Sequence, residues 1–128
     1  MNSEQLEAWV AGYVRAWETN EPAEIGRLFA EDAVYFTAPF REPLRGREAI
    51  AADWIERKDE PGTWTFDHEI LAVCDDIGFV QGRTDYAATA DGPATTYSNL
   101  WVVQLDAAGA CTAFTEWWME QPREGTKT

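Results

Sequence analysis

Thr95-Thr96-Tyr97-Ser98-Asn99-Leu100-Trp101-Val102-Val103-Gln104-Leu105 is the stretch on which the fold turns. Side chains on a strand point alternately to its two faces. Here Leu100 and Val102 fall on one face, and Tyr97, Trp101, Val103 and Leu105 on the other. Both faces are apolar, so both are expected to be covered. Three further strand-like runs surround it: Thr63 to Cys74, Gly78 to Thr89, and Cys111 to Glu120. The turns between them, Asp75-Asp76, Ala90-Asp91-Gly92-Pro93 and Asp106-Ala107-Ala108-Gly109, are short enough for an antiparallel meander.

The cover for one face has to come from the first half of the chain. Leu6, Trp9, Val10, Tyr13, Val14 and Trp17 recur at steps of three and four, which predicts an amphipathic helix capped by Ser3 and ended by Thr19-Asn20. Pro22 opens a second, short helix with Ile25, Leu28 and Phe29 inward, closed by Glu31-Asp32. Val34-Tyr35-Phe36-Thr37 reads as a strand, Pro39 and Pro43 hold a loop, and Arg47 to Arg57 reads as a third helix with Ile50, Trp54 and Ile55 inward. The expected class is therefore α+β, a curved, mostly antiparallel sheet wrapped on three N-terminal helices. Such a sheet makes a cone with a pocket at its wide end. No loop is long enough to cover the outer sheet face, so a second copy of the chain is expected there, as a homodimer.

Composition narrows the function. At 128 residues the chain is read as a single domain, 1–122, with a loose polar tail at 123–128. A formal charge of −13 argues against nucleic acid and anionic membranes, both of which need clustered cations. No run of about 18 apolar residues is present to span a membrane. Met1-Asn2-Ser3-Glu4-Gln5 lacks a signal-peptide pattern, so a cytoplasmic location is expected, with Cys74 and Cys111 as buried free thiols by default and a disulfide as the lesser option. The thiols lack metal-ligand spacing and His68 is the only histidine, which leaves no multi-histidine metal site and no expected cofactor.

Gly82-Arg83-Thr84-Asp85-Tyr86 carries the most suggestive polar pattern. Arg83 and Asp85 share one strand face, as either a solvated ion pair or the floor of a polar site. Parity also links Glu116 to Phe114 and Trp118, so all three face the same way, and Trp117 the other.

Leu28-Phe29-Ala30-Glu31-Asp32-Ala33-Val34-Tyr35, then Pro39, then Pro43-Leu44-Arg45-Gly46-Arg47-Glu48-Ala49-Ile50 resembles the nuclear-transport-factor-2-like superfamily. That grouping includes ketosteroid isomerases, polyketide cyclases and limonene-1,2-epoxide hydrolases. The resemblance runs from Glu4 to about Pro122 and implies the same cone fold. In the isomerase pattern Tyr13 matches the helix tyrosine, but the general-base position falls on Thr37 or Ala38 and the second acid near Trp101. Steroid-type isomerisation is thus not expected. In the epoxide hydrolase pattern Arg83 and Asp85 match an Arg-x-Asp motif, Glu116 takes the place of a second Asp, and Tyr35 and Thr37 fall where water-holding residues stand.

That resemblance implies Asp85 as acid, Glu116 as base, Arg83 as bridge, and Tyr35 with Thr37 positioning water. The pocket wall would draw on Tyr13, Val14, Trp17, Trp54, Trp64, Ala87, Leu100 and Trp118, around an apolar small molecule. Three readings stay open. One is a cofactor-independent enzyme of the epoxide-opening kind. A second is a cyclase or isomerase using Asp85 or Glu116 alone. The third is a non-catalytic, dimeric module that binds an apolar ligand, and behind it stands a bare structural role with no ligand.

Overall fold

The computed structural model describes residues 1–122; the expected tail, 123–128, lies outside the described residues. Its elements are α1 (Ser3–Thr19), α2 (Pro22–Leu28), β1 (Phe29–Phe36), β2 (Leu44–Arg45), α3 (Arg47–Glu56), β3 (Trp64–Cys74), β4 (Ile77–Tyr86), β5 (Thr95–Leu105) and β6 (Cys111–Glu120). The six strands form one open sheet in the order β2-β1-β6-β5-β4-β3. β3 to β6 pair as the expected antiparallel meander. β1 instead runs parallel to β6. It also starts at Phe29, earlier than the sequence pattern suggests, because Phe29 leaves the helix in extended conformation at the end of α2. The two-residue β2 carries too few side chains to show any periodicity.

α1 begins one residue earlier than expected, with Asn2 and not Ser3 as its cap. The Asn2 side chain accepts the Gln5 amide N–H while the Gln5 side chain accepts that of Asn2, which settles two amides that the first turn would leave unpaired. The helix ends at Asn20, in the left-handed conformation, with its amide on the Ala16 carbonyl. Leu6, Trp9, Val10, Tyr13 and Ala16 are its buried stripe.

That stripe meets the inner face of the sheet through Trp101, which is 1% exposed. Its indole lies against Tyr13 at 4.5 Å and is stacked on Phe66 at 4.9 Å and 14°. Trp9 meets it edge-on at 6.5 Å and 87°. Burying each such ring stabilises the fold by about 1.5–3 kcal/mol. The close approach depends on two glycines of β4. A Cβ on Gly78 would run into Leu6, and one on Gly82 into the Phe66 ring.

Parity holds on β5: Asn99, Trp101, Val103 and Leu105 are buried inside, with Leu100 and Val102 on the outer face. The outer face exposes several large apolar side chains, Phe36, Leu71, Trp117 and Met119 among them. The thiols differ from expectation. Cys111 is buried, whereas Cys74 is exposed because it ends β3 on the outer face, and both are free.

Candidate functional site

Where the helices diverge from the sheet, they leave a cavity of about 980 Å³. All four tyrosines of the chain line it: Tyr13 from α1, Tyr35 from β1, Tyr86 from β4 and Tyr97 from β5. Trp17, Trp54 and Trp118 add three indoles.

Glu116 enters this cavity from β6, on the same face as Phe114 and Trp118. It pairs across the ladder with Trp101, so the two side chains emerge together. The Trp101 Nε1 donates to Glu116 Oε2 at 3.0 Å, and the Tyr35 hydroxyl donates to Oε1 at 3.2 Å. The Tyr35 and Tyr13 hydroxyls stand 3.5 Å apart. Burial pushes the Glu116 carboxyl above the usual range, and the negative charge of Asp59 adds to this; the Trp101 and Tyr35 donors pull the other way. Burial, then the nearby Glu116 charge, raises both Tyr13 and Tyr35 well above an ordinary tyrosine. Both phenols therefore stay protonated and act as donors. Among the described residues no cation forms an ion pair with Glu116.

Asp59 also lines the cavity, as do Asp53, Glu60 and Asp91, and its sequence context reads only as a turn. Its Oδ2 accepts from Trp17 Nε1 and from the Tyr86 hydroxyl, each at 2.9 Å. Asn20 Nδ2 donates to the Asp59 carbonyl at 3.0 Å, and Trp54 Nε1 donates to Asn20 Oδ1 at 3.2 Å. Deeper in, the Thr84 hydroxyl donates to Asn99 Oδ1 at 2.8 Å. Nothing local in the sequence marks Asp59. Only the third dimension brings the loop after α3 against the ends of α1 and β4.

The expected convergence of Arg83, Asp85 and Glu116 does not form. Thr84 is 1% exposed and faces inward, so its neighbours Arg83 and Asp85 must face outward. Arg83 Nε donates to Asp85 Oδ2 at 3.0 Å, and the Thr96 hydroxyl donates to Asp85 Oδ1 at 2.7 Å. Hydrogen bonding from Arg83, then from Thr96, holds the Asp85 carboxyl below its ordinary range. The pair is the solvated strand pair that the pattern equally allowed, on the opposite sheet face from Glu116.

The remaining expectations divide. Tyr35, Thr37, Tyr13, Trp17, Trp54, Ala87 and Trp118 line the cavity. Leu100 does not, because strand parity turns it to the outer face. Val14 packs against the core beside the helix stripe and is not part of the lining. Trp64 is buried behind the wall, stacked on Trp17 at 3.8 Å and 15°, with its Nε1 unpartnered. Trp101 is the residue the pattern undervalued, since it reads as core and also orients Glu116. Among the described residues no three His, Cys, Asp or Glu side chains gather as metal ligands would, and no helix is long and apolar enough to cross a membrane.

Comparison with known proteins now places the chain. A model of the SnoaL-like domain matches residues 10–114. The chain belongs to the SnoaL-like domain family. This family lies within the nuclear-transport-factor-2-like superfamily that the sequence resembles. The match ends at Phe114, just short of Glu116. Two solved structures share the fold of this SnoaL-like chain. A ketosteroid isomerase-like protein from Erwinia carotovora atroseptica superposes with a TM-score of 0.65 at 17% identity, covering 93% of this chain and 98% of that one. A protein of unknown function with a cystatin-like fold from Methylobium petroleophilum gives a TM-score of 0.71 at 16% identity, covering 100% of this chain and 84% of that one. Among curated proteins none matches the sequence.

Proposed function

We propose that this SnoaL-like protein is a cofactor-independent proton-transfer enzyme, of the isomerase or cyclase kind, in which Glu116 alone is the acid–base group. The observation that carries the reading is a carboxyl inside the cavity, held through both oxygens by neutral donors and pushed above the usual pKa by burial. A base works best when its pKa lies near the operating pH, and burial moves a glutamate in that direction.

The hydrogen-bond accounting assigns roles. A phenol has one proton to donate. Tyr35 commits its proton to Glu116 and so orients the carboxylate. Tyr13 reaches Tyr35 only at 3.5 Å, at the outer limit of a hydrogen bond, so its O–H is the donor available to a substrate carbonyl. In the proposed step the Glu116 carboxylate takes a proton from the carbon next to that carbonyl. The C–H electron pair moves into an enolate whose oxygen receives the Tyr13 hydrogen bond. Glu116 then returns the proton, to another carbon in an isomerisation or to the new alkoxide after intramolecular ring closure. No water, electron or second substrate enters the balance.

Epoxide opening needs an acid and a base side by side, and Asp85 lies across the sheet from Glu116. The separation favours the single-carboxyl reading. The exposed outer residues Phe36, Trp117 and Met119 support a homodimer through that sheet face, which would cover a patch that water otherwise meets. The test of function is solvent deuterium uptake, followed by NMR, on a panel of cyclic ketones with exchangeable neighbouring C–H bonds. Exchange that the wild type accelerates and Glu116→Gln does not is the expected result. Equal exchange by both proteins contradicts the assignment.

A further inference from the structure

Five acids line the cavity: Asp53 is paired with Arg57, Glu60 and Asp91 are exposed, and among the described residues neither Glu116 nor Asp59 meets a cation. Glu116 lies on the sheet side, already bound by Trp101 and Tyr35. Asp59 lies at the seam between the walls: its Oδ2 takes Trp17 from the helical side and Tyr86 from the sheet side. Its Oδ1 accepts no hydrogen bond among the described residues. One oxygen of a cavity-lining carboxylate is thus engaged only by neutral donors, and the other is unengaged.

Aromatic rings flank this seam on both sides. Tyr13 packs with Trp54 at 4.8 Å on the helical wall, and Tyr86 with Tyr97 at 5.7 Å on the sheet wall. The cationic side chains of the lining, Arg41, Arg57 and Lys58, are all exposed, and Arg57 is already on Asp53 at 3.1 Å. A carboxylate in a half-dry space keeps an uncompensated charge unless something positive joins it. Ring faces are electronegative and attract the same kind of group. A neutral or anionic guest brings no compensation.

We propose that the cavity recognises small molecules bearing a protonated amine, with the ammonium donating to Asp59 Oδ1 and the apolar body lying between the aromatic walls. The formal charge of −13 draws such cations toward the protein over longer range. The inference rests on the proton-transfer reading only in naming the guest a substrate. Amine recognition itself needs no turnover.

The test is titration of the full chain at neutral pH with phenylbutylamine, phenylbutanol and phenylbutanoate, read by tryptophan fluorescence and calorimetry. The amine is expected to bind roughly tenfold more tightly than the alcohol, with the carboxylate weakest. In Asp59→Asn the amine falls to the level of the alcohol, and the alcohol is unchanged. Equal binding of amine and alcohol by the wild type, or tighter binding of the carboxylate, overturns the proposal. An amine preference that survives Asp59→Asn also overturns it. Because Asp59 holds two walls together, its variant has to be shown folded by circular dichroism. A second readout avoids that dependence: in wild-type protein at saturation the Trp17 indole N–H signal shifts further with the amine than with the alcohol. An unmoved Trp17 signal overturns the placement. Loss of deuterium exchange in Glu116→Gln with amine selectivity intact separates the two proposals.

Discussion

The two faces of the sheet carry nearly the same chemical parts and give them opposite properties. On the outer face of β4, Asp85 sits beside Arg83 and in water, and its carboxyl is held below the ordinary range by the hydrogen bonds of Arg83 and Thr96. On the inner face of β6, Glu116 has an indole and a phenol for partners, and burial lifts its carboxyl instead. The contrast teaches that an acid beside an arginine is committed to its charge, whereas an acid among neutral donors can exchange a proton. Which situation arises here is settled by one-residue parity along a strand.

The sharpest way to break the contrast is to neutralise each acid in turn. Glu116→Gln is expected to lower proton-transfer activity by about 100- to 10,000-fold, while Arg83→Ala and Asp85→Ala leave it unchanged. Deuterium uptake on the same ketone panel checks all three. A comparable loss from Asp85→Ala would mean the outer face takes part.

Tyr35→Phe removes a donor that favours the charged form of Glu116. Turnover is expected to fall roughly tenfold to a hundredfold, and the rising limb of the pH–rate profile to move to higher pH. The sign follows from the base role: activity requires the ionised carboxylate, and losing a donor raises the pKa further. A limb that stays in place or moves down would show that Tyr35 does not orient Glu116.

Stability separates the faces by smaller amounts. Gly82→Ala drives a methyl into the Phe66 ring on the inner face and is expected to cost about 1–3 kcal/mol in denaturant unfolding. Glu116→Gln is expected to raise the melting temperature at neutral pH. A carboxyl whose folded pKa lies above its unfolded value loses stability as pH rises from the unfolded pKa through the folded one. The gain should therefore vanish in acid, below the ordinary glutamate pKa of about 4.3. The outer-face change Trp117→Lys is expected to leave the monomer's fold intact and to shift sedimentation from dimer to monomer. Wild-type sedimentation as a monomer at micromolar concentration would contradict the covered-face reading.

Much of this architecture is legible in the sequence, and the reasons are local. The α1 stripe, the two-faced apolar strand β5 and the short turns are periodic signals that packing leaves intact. The inward course of Phe114, Glu116 and Trp118 follows from parity once one member is placed. Parity alone does not say which face is the inner one for Arg83 and Asp85. That is decided by the residues that alternate with them: Gly78 and Gly82 leave room for Leu6 and the Phe66 ring, and Thr84 is buried. Asp59 was illegible for a different reason. It stands in a turn whose composition explains itself, and its partners Trp17 and Tyr86 are distant in the chain.

The most direct measurement is the titration of the Glu116 carboxyl by carbon-13 NMR, with its signal identified by its loss in Glu116→Gln. It is expected to titrate clearly above the model-peptide glutamate value of about 4.3. A Glu116 signal that titrates at that reference value, or below it, would show a solvated or committed charge and contradict a proton-shuttling role.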